Sequence, residues 1–89
     1  MKIAVPDYPT LSDLRALQAQ FASSRRRDLE IDLTEVHRLG ALLLQLLHCA
    51  AETWRADGTK LTITGMTESF SKTLDLVGYD KKSLQANIG

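Results

Sequence analysis

The sequence predicts an α/β fold, a small and mainly parallel sheet with strands and helices in the order βαβαβα. Short segments rich in apolar and β-branched residues lie at positions 2–5, 29–33 and 60–64, and apolar residues at helical spacing follow each one. Strands that alternate with helices favour parallel pairing through right-handed crossovers over hairpins. A chain of 89 residues with 44% hydrophobic residues fits a single domain over positions 1–89.

The first strand and helix are separated by two prolines. Pro6 and Pro9 end the strand at 2–5, because proline cannot donate a backbone hydrogen bond to a neighbouring strand. Either Thr10 or Ser12 can cap the helix that follows. Its apolar positions recur at steps of three and four, at Leu11, Leu14, Leu17 and Phe21.

The second strand, at 29–33, leads into the longest helical pattern of the chain. We expect this helix to run from Ala41 to Ala56 and to end at Asp57-Gly58, since glycine suits a left-handed cap. At about 100° per residue, its core-facing side contains Leu39, Leu43, Leu46, Leu47, Ala50 and Trp54.

Leu44 falls outside that side of the helix, beside Ala51, while His48 falls on the polar side. Two interpretations of Leu44 stay open. It is either a singly exposed apolar residue, which is common on protein surfaces, or part of an apolar patch with Ala41 and Leu42 that another protein covers.

The third strand, at 60–64, ends at Gly65, and Thr67 or Ser69 begins the helix after it. The apolar positions of this helix and its terminating glycine are Phe70, Leu74, Val77 and Gly78. The weakly patterned tail at 81–89 forms a short helix or frays.

The overall charge is balanced, because eleven basic residues match eleven acidic ones. A balanced charge argues against nucleic-acid binding. We interpret the run Arg25–Arg27 as a solvated connector, with a nucleic-acid adaptor as the alternative. Cys49 is the only cysteine, so no internal disulfide forms and a cytoplasmic location is expected. No apolar stretch reaches the roughly 20 residues that span a bilayer, so we expect no membrane insertion.

The carboxyl ends of parallel strands and the amino ends of the following helices meet at one edge of a sheet, where functional residues gather. The residues that enter the second helix are Gly40, Ala41, Leu42 and Leu43, and none of them can do acid–base, nucleophilic or metal chemistry. The sequence therefore favours protein binding and predicts no enzymatic activity and no cofactor.

Three other residue groups favour structural roles. His48 and Glu52 supply at most two metal ligands on one helix face, so we interpret them as an ordinary i, i+4 polar pair. Cys49 lies near the edge of the apolar side and is expected to be buried. Two interpretations of Trp54 are open, a core residue or an anchor of a protein interface, and we favour the core position.

Residues 28–80 resemble the STAS domain, the sulfate-transporter and anti-sigma-factor-antagonist module. The positions that carry the resemblance are Asp32-Leu33-Thr34-x-Val36-x-x-Leu39, Leu44-Gln45-Leu46-Leu47, Trp54, Gly58, Leu61, Phe70, Leu74, Leu76 and Gly78. The resemblance implies a non-enzymatic bacterial switch or adaptor. Members of that family bind a kinase, an anti-sigma factor, a histidine-kinase chemotaxis component or the ATPase of a lipid-transport system.

In phosphorylated STAS proteins, the loop before the second helix reads Asp-Ser-Ser-Gly or Asp-Thr-x-Gly, and its first hydroxyl residue accepts phosphate. An ungapped match places Gly40 at the Asp, Ala41 at the phosphoacceptor and Leu43 at the Gly. Alanine has no hydroxyl, so the charge of about −2 that phosphorylation adds cannot be installed there. The departures imply a constitutive binder. Thr34 and Ser69 are the remaining candidate acceptors, and we interpret both as cap or turn hydroxyls.

We therefore predict a protein-binding regulatory adaptor that resembles anti-sigma factor antagonists and binds a signalling kinase or anti-sigma factor. A transport ATPase is the second partner class, and a homodimer is also possible. The alternatives are an accessory subunit of a lipid-transport ABC ATPase and a small-ligand carrier, for which a pocket of roughly 300 Å³ or more would count. The predicted binding edge comprises Thr34, His37, Arg38, Gly40, Ala41, Leu42, Leu44, Met66 and Ser69.

Overall fold

Three β-strands alternate with three α-helices, which confirms the predicted α/β fold with βαβαβα order. The computed structural model describes residues 1–38 and 40–88. The elements are β1 (Lys2–Ala4), α1 (Leu11–Ser23), β2 (Leu29–Asp32), α2 (Ala41–Asp57), β3 (Leu61–Thr64) and α3 (Glu68–Leu76), followed by a 3₁₀-helix (Lys81–Leu84). Each strand is one residue shorter than its predicted segment. The tail adopts a short helix, the first of its two predicted alternatives.

The strands pair in parallel in the spatial order β1-β2-β3, with Ile3, Ile31 and Ile63 in register. The connection from β1 to β2 and the connection from β2 to β3 each lead to the adjacent strand, and both run in the same direction across the sheet. Because such crossovers are right-handed, α1 and α2 lie on the same face of the sheet. The opposite face receives no helix from either crossover.

The two faces of the sheet differ sharply in polarity. The helix-covered face carries apolar side chains, and Ile3, Leu29 and Ile31 on it are buried. The other face carries alternating polar residues, which are Lys2, Glu30, Asp32, Thr62 and Thr64. This explains why the strand segments alternate instead of reading as the continuous apolar runs typical of parallel sheets buried on both sides.

Side chains fix where the helices begin and end. Thr10 caps α1, accepting a hydrogen bond from the Asp13 amide, and the Asp13 carboxylate accepts one from the Thr10 amide. Thr67 caps α3 in the same way through the Phe70 amide. Gly58 ends α2 with φ of 74°, as the sequence predicts.

The tail after α3 closes the far side of the structure. Leu61 and Ala86 exchange backbone hydrogen bonds as an antiparallel bridge, and the Gln85 side chain accepts from the Ile63 amide at 2.9 Å. Leu84 and Ala86 are buried in the hydrophobic core. The tail therefore pairs with the outer edge of β3 and completes the core.

The buried side of α2 is wider than predicted. Ala51 is fully buried and Leu44 is half-buried against the core, so the expectation that both lie away from the core is wrong. The physical reason is that α2 packs against the tail as well as against α1 and β3. Leu39, which was placed on the same side, lies outside the described residues.

Two apolar positions of the predicted helical patterns are exposed to solvent, Leu11 and Val77. Leu11 occupies the first turn of α1, and Val77 lies just beyond the last residue of α3. Both sit at helix ends, where the apolar side of a helix runs past the elements that cover it. Among the other apolar positions of these patterns, Leu14 is half-buried, and the buried ones are Leu17, Phe21, Phe70 and Leu74.

Candidate functional site

Loops from all three strands meet at the carboxyl edge of the sheet. The β1–α1 loop covers 5–10, the β2–α2 loop enters α2 through Gly40, and the β3–α3 loop covers 65–67. The His37 amide donates to Asp7 Oδ1 at 3.2 Å, and Thr67 Oγ1 donates to the Val36 carbonyl at 2.8 Å. These two hydrogen bonds tie the central loop to the loops on either side.

Asp32 and Thr34 form a tight turn where β2 ends. Both the amide and the hydroxyl of Thr34 donate to Asp32 Oδ1. These hydrogen bonds, the hydroxyl's first, lower the pKa of Asp32 below its ordinary value, and Lys2 contributes to the same shift. Thr34 therefore acts as a turn hydroxyl, in line with its predicted interpretation.

Gly65 fits against this turn because it has no side chain. A Cβ atom at this position would clash with Thr34 Oγ1 and would lie only 2.9 Å from Asp32 Oδ1. The residue also has φ of 67°, in the left-handed region. Close approach and backbone conformation both call for glycine here.

The start of α2 is apolar and lacks a side-chain cap. Gly40 occupies the cap position with φ of −95°, and its carbonyl accepts from the Leu44 amide. Ala41 and Leu42 are exposed, with Leu42 at 62%, whereas Leu43 is buried. Of the three residues that begin α2, Leu43 therefore belongs to the core, whereas Ala41 and Leu42 face solvent.

The two predicted members on the β3 side, Met66 and Ser69, differ in exposure. Met66 packs against the core and is half-buried, so only part of it could extend an apolar patch. Ser69 is exposed in the first turn of α3, and Thr67, the other of the two predicted starting residues, caps the helix. Leu44 is half-buried on the core side of α2, as described above.

The β1–α1 loop contributes to this edge although none of its residues is among the predicted site residues. Asp7 contacts both the amide and the ring of His37, with 3.7 Å between Asp7 Oδ2 and His37 Nδ1. The guanidinium of Arg38 lies over the Tyr8 ring, 4.8 Å from its centroid. The rule that gathers strand carboxyl ends at one edge applies equally to β1, and it could have identified these residues.

The remaining candidate groups lie away from this edge. His48 does not pair with Glu52 as predicted, since its ring contacts the Tyr79 hydroxyl and Glu52 pairs with Arg55. Burial raises the pKa of the Tyr79 hydroxyl. Among residues 1–38 and 40–88, no group of three or more His, Cys, Asp or Glu side chains could hold a metal ion.

Cys49 is exposed, which contradicts the prediction that it is buried. It lines a surface groove between α1 and α2 and lies at the margin of the apolar side of α2. Trp54 is buried in the core, as predicted, and its indole donates to the Arg27 carbonyl at 2.7 Å.

The arginine run lies at the opposite edge, before β2. Arg25 binds the Asp57 carboxylate through Nε and a terminal nitrogen, at 3.1 and 2.9 Å. This pair raises the pKa of Arg25 and lowers that of Asp57. One arginine of the three is therefore engaged in fixing the end of α1 to the end of α2.

Within the described part of the chain, no helix is long and apolar enough to cross a membrane.

The edge thus combines an apolar helix start, a stacked Arg–Tyr pair and a rigid turn. A family model described as "Mlab, STAS domain" matches residues 6–86, which is nearly the whole chain. No curated protein and no solved structure matches the chain.

Proposed function

The chain belongs to the STAS domain family, and from this premise we propose that it is a protein-binding regulatory adaptor without a phosphorylation switch. STAS domains commonly mediate protein–protein interactions, are often similar to anti-sigma factor antagonists and are generally non-enzymatic. The partner is a signalling kinase or an anti-sigma factor, with a transport ATPase as the second class. The binding edge is that of the β2–α2 and β3–α3 loops with the start of α2.

The observation that carries the proposal is the exposure of Ala41 and Leu42 at the start of α2. Both side chains face solvent at the edge where the loops meet, and neither can be phosphorylated. An exposed apolar pair at this place loses contact with water when a partner covers it. Its affinity for the partner therefore does not depend on a phosphate group.

A small-ligand carrier remains the second candidate, because a groove of about 430 Å³ opens beside the start of α2. This volume exceeds the roughly 300 Å³ expected of a ligand site. The side chains at its mouth, however, are strongly exposed, so a small molecule there would keep much of its surface in water. Protein binding fits such a surface better.

Affinity purification from the native cells would test the adaptor function. The bait proteins are the wild type, Leu42→Glu and the matched control Leu76→Glu, whose leucine is 86% exposed at the opposite end of α3. We expect wild type and Leu76→Glu to retain one kinase, anti-sigma factor or ATPase, and Leu42→Glu to lose it, because the new carboxylate must be desolvated in the contact. Retention of the same partner by all three proteins would remove this edge from the interface.

A further inference from the structure

A surface groove lies between the β1–α1 loop and the start of α2. It has a volume of about 430 Å³ and lies on the β1 side of the proposed binding edge. Its lining consists of Tyr8, Pro9, Leu14, Arg38, Gly40, Ala41, Leu42 and Leu43. The three lining residues from the β1–α1 loop and α1, which are Tyr8, Pro9 and Leu14, do not belong to the edge that the sequence predicts.

Exposed apolar side chains stand around this groove. Tyr8 is 59% exposed and Leu42 is 62% exposed on its two sides. Leu11, at 58%, lies one helical turn before Leu14 and therefore on the same side of α1. A concentration of large exposed apolar residues around a concave surface is typical of a protein contact and is uncommon elsewhere on a small protein.

The charge at this groove is positive. Arg38 stacks on Tyr8 and forms no ion pair within the described residues. The first turn of α2 has no acidic residue and its cap makes no side-chain hydrogen bond, so the positive end of the helix dipole is unmatched.

Two acidic residues that neighbour the groove lining in the sequence, Asp7 and Asp13, bind other groups. Asp7 binds the amide of His37 and approaches its ring. Asp13 accepts the hydrogen bond from the Thr10 amide that begins α1. Since no carboxylate of the described residues forms an ion pair with Arg38, its guanidinium is available to a carboxylate of a partner.

We propose that this groove binds an amphipathic helix of the partner protein, with its apolar side between Tyr8 and Leu42 and a Glu or Asp side chain on Arg38. The proposal rests on the function proposed above and adds the chemistry of the partner's contact segment. A groove lined by apolar residues from two helices is a common receptor for a third helix. A second copy of this chain fits less well, because a two-fold contact would bring two positively charged surfaces together.

The partner segment can be identified with a photoreactive residue. Leu42 is replaced by p-benzoylphenylalanine in native cells, with the same replacement at Leu76 as the matched control. We expect irradiation to link position 42, and not position 76, to a partner segment whose sequence has apolar residues at helical spacing and an acidic residue beside them. A link to a second copy, a link to a small molecule, or no adduct at position 42 would overturn the proposal.

The crosslinked segment is then made as a synthetic peptide, and its affinity is measured by calorimetry. We expect Arg38→Glu to weaken binding about tenfold or more, and an acid-to-arginine change in the peptide to restore most of that loss. The control Arg27→Glu changes the net charge equally, and its side chain forms no ion pair within the described residues. Equal affinities for wild type and Arg38→Glu would overturn the role of Arg38.

The two proposals fail in different ways. If Leu42→Glu loses the partner in the purification but Arg38→Glu binds the peptide with the wild-type affinity, the adaptor function is supported and the contact between Arg38 and an acidic residue is disproved. If Leu42→Glu retains the partner in the purification as fully as wild type and Leu76→Glu do, the proposed binding edge and the groove contact fail together.

Discussion

At the scale of single residues, Gly65 is the position where the edge tolerates least change. Its φ of 67° is unfavourable for any other residue, and Thr34 occupies the space that a Cβ would need. We expect Gly65→Ala to lower the free energy of unfolding by about 1–3 kcal/mol, measured by urea denaturation. In a Thr34→Ala background the cost should be smaller, because the hydroxyl that clashes is gone. Equal costs in both backgrounds would contradict the predicted clash.

Asp32 provides a second prediction at this scale. Its native pKa lies below its unfolded value of about 3.9, so its stabilising contribution is complete above that value. The contribution is lost as the pH falls through the native pKa. We expect Thr34→Val to raise the pKa of Asp32, since the hydrogen bond from the Thr34 hydroxyl is the largest cause of its lowered value. NMR titration of the Asp32 carboxyl carbon would measure this change. The Asp57 carboxyl is the internal control, because its pKa is lowered chiefly by Arg25.

At the scale of elements, the start of α2 lacks two features that usually stabilise the beginning of a helix, a capping side chain and an acidic residue in the first turn. Gly40 offers no capping side chain, and apart from its two neighbours in the chain no described residue has an atom within 4 Å of a Cβ placed there. We expect Gly40→Asp to raise the free energy of unfolding by about 0.5–1 kcal/mol through capping and the helix dipole. Gly40→Asn should give only the capping part. Thermal unfolding of the three proteins at low salt would separate the two contributions, and a destabilised Gly40→Asp protein would contradict them.

The elements also show what the sequence can predict. The strands and helix ends follow from local features, namely β-branched segments, Thr10, Thr67 and Gly58, and these predictions were confirmed. The burial of Leu44 and Ala51 depends on the tail packing against α2, a contact between distant parts of the chain that helical periodicity cannot reveal.

The candidate site was predictable in outline only. Its β2 side followed from the general position of functional residues at the carboxyl edge of a parallel sheet. The stacking of Arg38 on Tyr8 depends on how two loops thirty residues apart in the sequence are placed relative to each other. No local sequence pattern predicts that placement.

At the scale of the molecule, the tail is a structural part of the core. Leu84 is fully buried and the neighbouring residues pair with β3. We expect Leu84→Ala to lower the free energy of unfolding by about 2–5 kcal/mol because it leaves a cavity. Ile88→Ala, at an exposed position, is the matched control and should change it by less than about 0.5 kcal/mol. Similar values for both variants in chemical denaturation would show that the tail is dispensable.

The two edge strands of the sheet, β1 and β3, are both protected against pairing with strands of other molecules. Strands at the borders of a sheet present free backbone groups to which other chains can add, and this is a route to aggregation. β1 is only three residues long and carries Lys2, whose ammonium lies near Glu30 and Asp32, while the bridge between Leu61 and Ala86 blocks β3. The same residues that complete the fold thus also keep neighbouring molecules from extending the sheet.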